Sequence, residues 1–300
     1  MCFGAIRFSR TRLVVRYYDA HVHFFWKGSL NEVWQKWQVL LKKGLSGVSL
    51  IIIGHYPSNW ERFLGLVPNA FQKTVEKKFF EEGLGFQIST ALQLSDVEVF
   101  PYLDCRFIDR QDSDLTKFVE AGFKGLKVLY IPDDDYEFGA IGWRQFFGRS
   151  EAESQKLISQ MIEQSFSFGW PIIFHVDLRR YADFVMEILQ INPACTFIIP
   201  HFGFSRKILA KFLERFNCCY TDFSSLLPFM QDNPHEYVDF ITTYNERILF
   251  ASDAYLGEPE LAGNYLEFII SRIESEYIRA KIMYENYLHI HRIGLQKVGE

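Results

Sequence analysis

Eight short, continuously apolar segments recur along this chain with amphipathic stretches between them, and that alternation restricts the fold more than any other feature. An apolar run of about four to eight residues suits a parallel strand buried on both faces. The pattern predicts strands near 14–21, 48–54, 99–105, 125–130, 172–175, 196–201, 219–223 and 248–253. It predicts helices over 30–43, 114–121, 151–168, 181–189 and 206–216, with one or two closing helices in 262–293. Alternating strands and helices call for a parallel sheet. Eight such units call for an α/β fold of one kind, a single (β/α)8 TIM barrel, and 300 residues suit that barrel with insertions. One domain over 1–300 is expected, with 1–15 as a loose extension.

Two connections are long, 55–98 after strand two and 131–150 after strand four. Both leave the carboxyl end of a strand, where lids and binding loops of barrels lie. The first carries Trp60, Phe63, Phe71, Phe79 and Phe80, and an added helix on the barrel rim is expected there as well. The second carries Asp133-Asp134-Asp135, read as a solvated turn, then Trp143, Phe146 and Phe147.

The strands end in chemistry-bearing residues. Strand one carries Asp19-Ala20-His21-Val22-His23, and side chains two apart on a strand share a face. Strand five ends in His175, strand six in His201 and strand eight in Asp253. Active sites of parallel α/β folds gather at such carboxyl ends. A lone histidine there is most often a packed core residue. Together, His21, His23, His175 and Asp253 offer three imidazole nitrogens and a carboxylate oxygen to a divalent metal, with room for water. His201 is a further ligand or a base, and Asp253 is a second proton acceptor, so both are candidate catalytic residues.

These motifs resemble those of the amidohydrolase superfamily. Asp19-Ala20-His21-Val22-His23, Ile173-Phe174-His175, Pro200-His201-Phe202-Gly203 and Phe250-Ala251-Ser252-Asp253-Ala254 carry the likeness. Tyr220-Thr221-Asp222-Phe223-Ser224-Ser225 and Met283-Tyr284-Glu285-Asn286-Tyr287 extend it over roughly 17–290. The nearest branch is the amidohydrolase-related one, with aminocarboxymuconate-semialdehyde decarboxylase, γ-resorcylate decarboxylase and lactone hydrolases. The resemblance implies metal-dependent chemistry, usually on zinc, with His21, His23, His175 and Asp253 as ligands and His201 as catalytic histidine. One Zn2+ is expected, with Mn2+ as an alternative. A carboxylated Lys127 on strand four would bridge two metals, as in binuclear members. Unmodified, Lys127 would bind a substrate carboxylate or pair with Asp253. TatD-like deoxyribonucleases share the His-x-His start but carry glutamate at the strand-four position, so Lys127 argues against them.

The expected function is hydrolysis of an ester, lactone or amide bond in a small carboxylate-bearing substrate. A nonoxidative decarboxylase on the same scaffold is the alternative, and a barrel that binds without turnover is the second. Arg106 after strand three and His55 after strand two are candidate substrate contacts, Arg106 by pairing with a carboxylate or else in an ordinary salt bridge. Arg179 and Arg180 read as surface salt bridges. His235, His289 and His291 lie away from strand ends and receive no role.

A net charge of -5 and a pI of about 5.9 speak against nucleic acid. Arg7, Arg10, Arg12 and Arg16 precede the first acid, but no apolar core makes the stretch a signal peptide, and no run is long enough to span a membrane. Five cysteines without a C-x-x-C pattern suit reduced thiols in the cytoplasm. Cys105 reads as a packed thiol, and Cys218 and Cys219 as opposite faces of one strand. The 30 phenylalanines, dense in the long connections, point to an aromatic ligand or a homodimer contact.

Overall fold

The structure, a computed structural model, describes residues 16–26, 29–53, 64, 96–106, 108, 113–135 and 141–292. The expected extension 1–15, His55 and nearly all of connection 55–98, with Trp60, Phe63, Phe71, Phe79 and Phe80, lie outside them.

Nine parallel strands form one sheet: β1 (Tyr17–His23), β2 (Leu45–Ile53), β3 (Glu98–Asp104), β4 (Gly125–Leu129), β5 (Ile172–His175), β6 (Phe197–Ile199), β7 (Cys219–Asp222), β8 (Ile248–Leu249) and β9 (Ala254–Tyr255). Their order is β8-β7-β6-β5-β4-β3-β2-β1-β9. The predicted eighth strand is therefore broken in two. Its first half pairs with β7 and its second half with β1. Between them Ala20 N donates to Phe250 O at 2.9 Å, and Asp253 N donates to His21 O at 2.9 Å. Counted as one crossing strand, β8 and β9 close an eight-unit TIM-barrel-like α/β fold.

Alternation along the strands sorts side chains into two layers. Tyr18, Ala20, Ile51, Tyr102, Ile173, Ile198, Tyr220 and Leu249 fill one cluster, capped by Tyr287 and Ile290 of the terminal helix Asn286–Ile290. The opposite set packs against the helices: Val48, Leu50, Ile52, Leu103, Val128 and Phe174 meet Trp37, Ile158, Ile162, Val185 and Leu209. The strands are apolar throughout because both faces are covered.

Helix starts follow local chemistry. Leu30–Lys42 and Glu151–Ser167 each begin with a capping box, Ser29 with Glu32 and Ser150 with Glu153. Helix Leu178–Ile191 begins earlier than expected because Asp177 caps it, its carboxylate accepting Arg179 N at 2.8 Å. Helix Arg206–Arg215 is capped by Ser205, and the segment expected at 114–121 shortens to Thr116–Glu120. The closing segment divides into Glu260–Arg272, Glu276–Ala280, a wide turn Lys281–Glu285 and Asn286–Ile290. No described helix is long and apolar enough to cross a membrane.

Three local expectations are corrected. Strand β6 stops at Ile199, since Pro200 has no N–H to donate, and His201–Phe204 forms a tight turn. Cys218 precedes β7 rather than sharing it, so the two cysteines do not form opposite faces of a strand. The triple aspartate is not a solvated turn. Asp135 is buried and pairs with Arg180 at 3.3 Å, and Asp134 Oδ1 accepts Gly142 N at 2.9 Å. Gly142 belongs there because a Cβ would fall 2.1 Å from the Asp133 carbonyl carbon. Connection 131–150 also contains the short helix Trp143–Phe147.

Candidate metal centre

His21 and His23 point to one face of β1, and the break in the eighth strand delivers Asp253 to them. Asp253 Oδ1 lies 3.0 Å from His23 Nε2 and 3.3 Å from His21 Nε2. One ligand atom from each of these residues falls within 4.8 Å of the others. Burial alone would raise the Asp253 carboxyl, but the adjoining His21, His23 and His201 hold it well below the usual carboxylate range. Burial, reinforced by the Lys127 ammonium, pushes His21 down to about 4. His21 is thus held neutral and Asp253 ionised, the protonation states in which these groups bind a divalent metal.

The imidazoles are oriented from behind by the corner that follows β7. His21 Nδ1 faces Asp222 Oδ2 at 3.5 Å, which turns Nε2 toward Asp253. Asp222 Oδ1 accepts His201 N at 3.1 Å, Ser224 N at 3.0 Å and Ser224 Oγ at 2.6 Å. Burial works against ionisation of Asp222, yet the neighbouring His21 and His201 and the Ser224 hydroxyl bring it down to about 2. His201 Nδ1 lies 2.8 Å from the Ser224 carbonyl, which can only accept. His201 Nδ1 therefore carries a proton, which fixes the ring with Nε2 at its far end.

His175 stands elsewhere. It lies outside the compact His21–His23–Asp253 set, its ring 4.8 Å from the His201 ring and 5.4 Å from Phe204. Burial first, and Lys127 second, hold it well below the usual histidine range, so it stays neutral. Lys127 is 1% exposed, and its Nζ is 3.0 Å from His21 Nε2. Burial lowers its ammonium to about 8.

Arg106 lines the pocket and is clamped from behind by Asp104, whose Oδ2 accepts Nη2–H at 2.6 Å and Nε–H at 2.9 Å. Asp104 is fully buried at the end of β3, and Arg106 keeps it ionised against that burial. Arg179 pairs with Asp177 and Arg180 with Asp135, as expected of salt bridges, although Arg179 also borders the pocket. Cys105 is fully buried in the apolar layer, a packed thiol. The four described cysteines are free. His291 packs against Tyr287 beneath the interior cluster, far from the site in its partners.

The pocket holds about 740 Å³, within the size range of small-molecule sites. His23, Asp253, His175 and His201 share its wall with Phe25, Phe204, Tyr237 and Tyr255. The backbone at its floor is strained. His201, Phe202, Phe204, Ser225 and Asp253 all have left-handed φ of 50° to 61° without being glycine. Such geometry costs of order 1 kcal/mol or more per residue and concentrates at functional sites.

Asp222, Asp104, Ser224 and Ser225 received no role from sequence. For Asp222 a signal existed, a single carboxylate at the end of an apolar strand, like His175 and Asp253.

No protein-family model matches the chain, and no curated protein does. Solved structures do. A phosphotriesterase homology protein from Escherichia coli, with phosphate in its active site, is similar at TM-score 0.58 and 10% identity over 92% of this chain and 99% of that one. Dihydroorotase from Saccharomyces cerevisiae, in complex with 5-fluoroorotic acid, gives 0.56 and 10% over 95% and 86%. A 2,6-dihydroxybenzoate decarboxylase from Rhizobium gives 0.50 and 13% over 92% and 98%. At these identities the likeness is one of architecture: over 92–95% of this chain the fold is shared, and among the described residues it is a parallel α/β barrel.

Proposed function

We propose that this chain is a metal-dependent enzyme of the amidohydrolase type, which hydrolyses an ester, lactone or amide bond in a small carboxylate-bearing molecule. The observation that carries the reading is the convergence of His21 Nε2 and His23 Nε2 on Asp253 Oδ1, with His23 and Asp253 at the wall of an open pocket. The donor set fits a divalent metal, zinc first and manganese second, because it pairs two imidazoles with an ionised carboxylate. His21, His23 and Asp253 would hold the ion, with His175 as a further ligand from the same pocket. Bound there, the metal supplies a Lewis acid that polarises a carbonyl and acidifies water.

The chain's own residues do the rest. His201, its Nδ1–H held by the Ser224 carbonyl, takes a proton from the attacking water and returns it to the leaving group. Asp253 is a second acceptor beside it. Arg106, its guanidinium fixed by Asp104, directs its remaining N–H groups at a substrate carboxylate. Two of the similar structures hold carboxylic acids, 2,6-dihydroxybenzoate in the decarboxylase and 5-fluoroorotic acid in dihydroorotase. Phe25, Phe204 and Tyr255 would face the apolar body of such an acid. The free thiols suit a reducing compartment, and the cytoplasm is the proposed location.

The test begins with metal content per chain, on protein prepared without chelator or metal-affinity resin. About one ion per chain, absent from a His21→Ala/His23→Ala variant, supports the site. About two ions would give Lys127 a bridging role after carboxylation. No ion, and none taken up on incubation, overturns the proposal. A panel of lactones, esters, amides and aromatic acids follows. Release of CO2 without hydrolysis would select the decarboxylase reading, which the likeness to the Rhizobium enzyme favours. Binding without turnover would leave a binding barrel.

A further inference from the structure

Ser225 is a residue in the wrong backbone for its side chain. Its φ is 57°, a region where glycine is favoured and a Cβ is penalised. It is exposed and lines the pocket, where water could satisfy its hydroxyl without help from the protein. Yet the hydroxyl donates to Asp253 Oδ2 in a short contact. Asp253 is itself left-handed, with φ of 61°. Two strained residues, 28 positions apart, thus meet through one hydrogen bond at the mouth of the cluster.

That bond divides the work of the carboxylate. Oδ1 faces His21 at 3.3 Å and His23 at 3.0 Å. Oδ2 is occupied by the serine. Ser224, one residue earlier, turns the other way and serves Asp222 and His201. Adjacent hydroxyls therefore serve different groups of one site, Ser225 the Asp253 carboxylate and Ser224 the Asp222–His201 pair.

We propose that Ser225 is a positioning residue which, by holding Oδ2, fixes the rotation of Asp253 so that Oδ1 alone is offered with the two imidazoles. The assignment rests on the metal reading above and adds to it a specific role for a residue outside the donor set. The position retains serine against its backbone cost because the hydroxyl is needed. Removing it frees the carboxylate to turn, and the set of donors changes although every donor remains.

Cobalt(II) is the probe, since its visible absorption reports coordination number and geometry directly. The parent chain, Ser225→Ala and Ser225→Gly are loaded with Co2+, and affinity is measured by chelator competition. Both variants are expected to shift the spectrum and weaken binding about tenfold, the low end of what loss of a group supporting a metal ligand costs. Thermal unfolding separates this from damage to the fold. Ser225→Gly relieves the left-handed strain, so its apo form should melt no lower than the parent while still showing the altered spectrum. Variants that match the Co2+-loaded parent in spectrum and affinity overturn this proposal alone. A parent chain that takes up no Co2+ overturns it together with the metal reading.

Discussion

Gly203 shows how tightly single residues are held under the site. Its φ is 58°, and a Cβ there would sit 2.5 Å from Leu178 Cδ1, a fully buried side chain. Gly203→Ala therefore adds backbone strain and overpacking together. We expect a loss of about 2–4 kcal/mol in urea unfolding, and an unchanged midpoint would show that the His201–Phe204 turn yields easily. Asp222 is held differently, by three donors and an imidazole. Asp222→Asn keeps its shape but replaces an acceptor oxygen with an N–H group. Metal affinity, read by chelator competition, should fall about 10- to 100-fold, and an unaltered affinity would remove Asp222 from the support of His21. At this scale the sequence displayed one kind of information well. His21 and His23 were legible as a pair because i and i+2 share a face on any strand. The roles of Asp222, Ser224 and Ser225 were not, since they depend on β7 lying where it can reach β1, β6 and the broken eighth strand at once. The reach of His175, whose ring lies 4.8 Å from that of His201, was not legible either, because a strand-end position does not determine side-chain direction.

The terminal helix Asn286–Ile290 acts as a plug. Tyr287 stacks on Tyr18 at 4.7 Å and shares a hydrogen bond with Ser49 Oγ at 2.9 Å. One turn on, His291 stacks on Tyr287 at 4.1 Å. Its Nδ1 is 2.9 Å from the Tyr287 carbonyl and its Nε2 is 2.9 Å from Tyr102 Oη, so the neutral ring donates to one and accepts from the other. Burial lowers this histidine to about 4, below its unfolded value near 6.5. Between those values the unfolded chain binds the proton and the folded chain does not. The contribution is thus complete above pH 6.5 and lost as pH falls toward 4, to at most about 3 kcal/mol. Unfolding midpoints measured from pH 7.5 to 4 should fall less steeply for His291→Phe than for the parent. Equal slopes would mean that other groups carry the acid sensitivity. Sequence placed a closing helix here, but not its division or the plug. The wide turn at Lys281–Glu285, which buries Ile282 and Met283, divides the closing segment without a Gly or Pro to mark it in the sequence.

At the scale of the whole molecule the barrel depends on one seam. Eight apolar segments announced the barrel, and the likeness in fold to barrel enzymes agrees with them. What they hid is that the eighth strand must bend to close the sheet. A straight strand would pair with β7 along its length and leave β1 as an edge, with its N–H and C=O groups unpaired. The bend is held by Asp19, whose Oδ2 accepts Ser252 Oγ at 2.6 Å and whose Oδ1 accepts Ser252 N at 3.0 Å and His21 N at 3.2 Å. Burial raises Asp19 to about 7 even against those hydrogen bonds, so the carboxylate depends on its donors. The same bend gives Asp253 its left-handed backbone and turns it toward His21 and His23. Closure of the barrel and assembly of the site are therefore one event. Ser252→Ala leaves a buried carboxylate short of a donor and should cost about 1–3 kcal/mol. The sharper expectation is spatial. The amides of Ala20 and Asp253, which bridge the seam, should exchange with deuterium faster in the variant, while Leu126 N, bonded to Pro171 O at 3.0 Å between β4 and β5 on the far side of the sheet, keeps its protection. Uniform acceleration at all three would show a barrel that opens only as a whole. Acceleration at the seam alone would show that the break which builds the site is also the place where the barrel opens first.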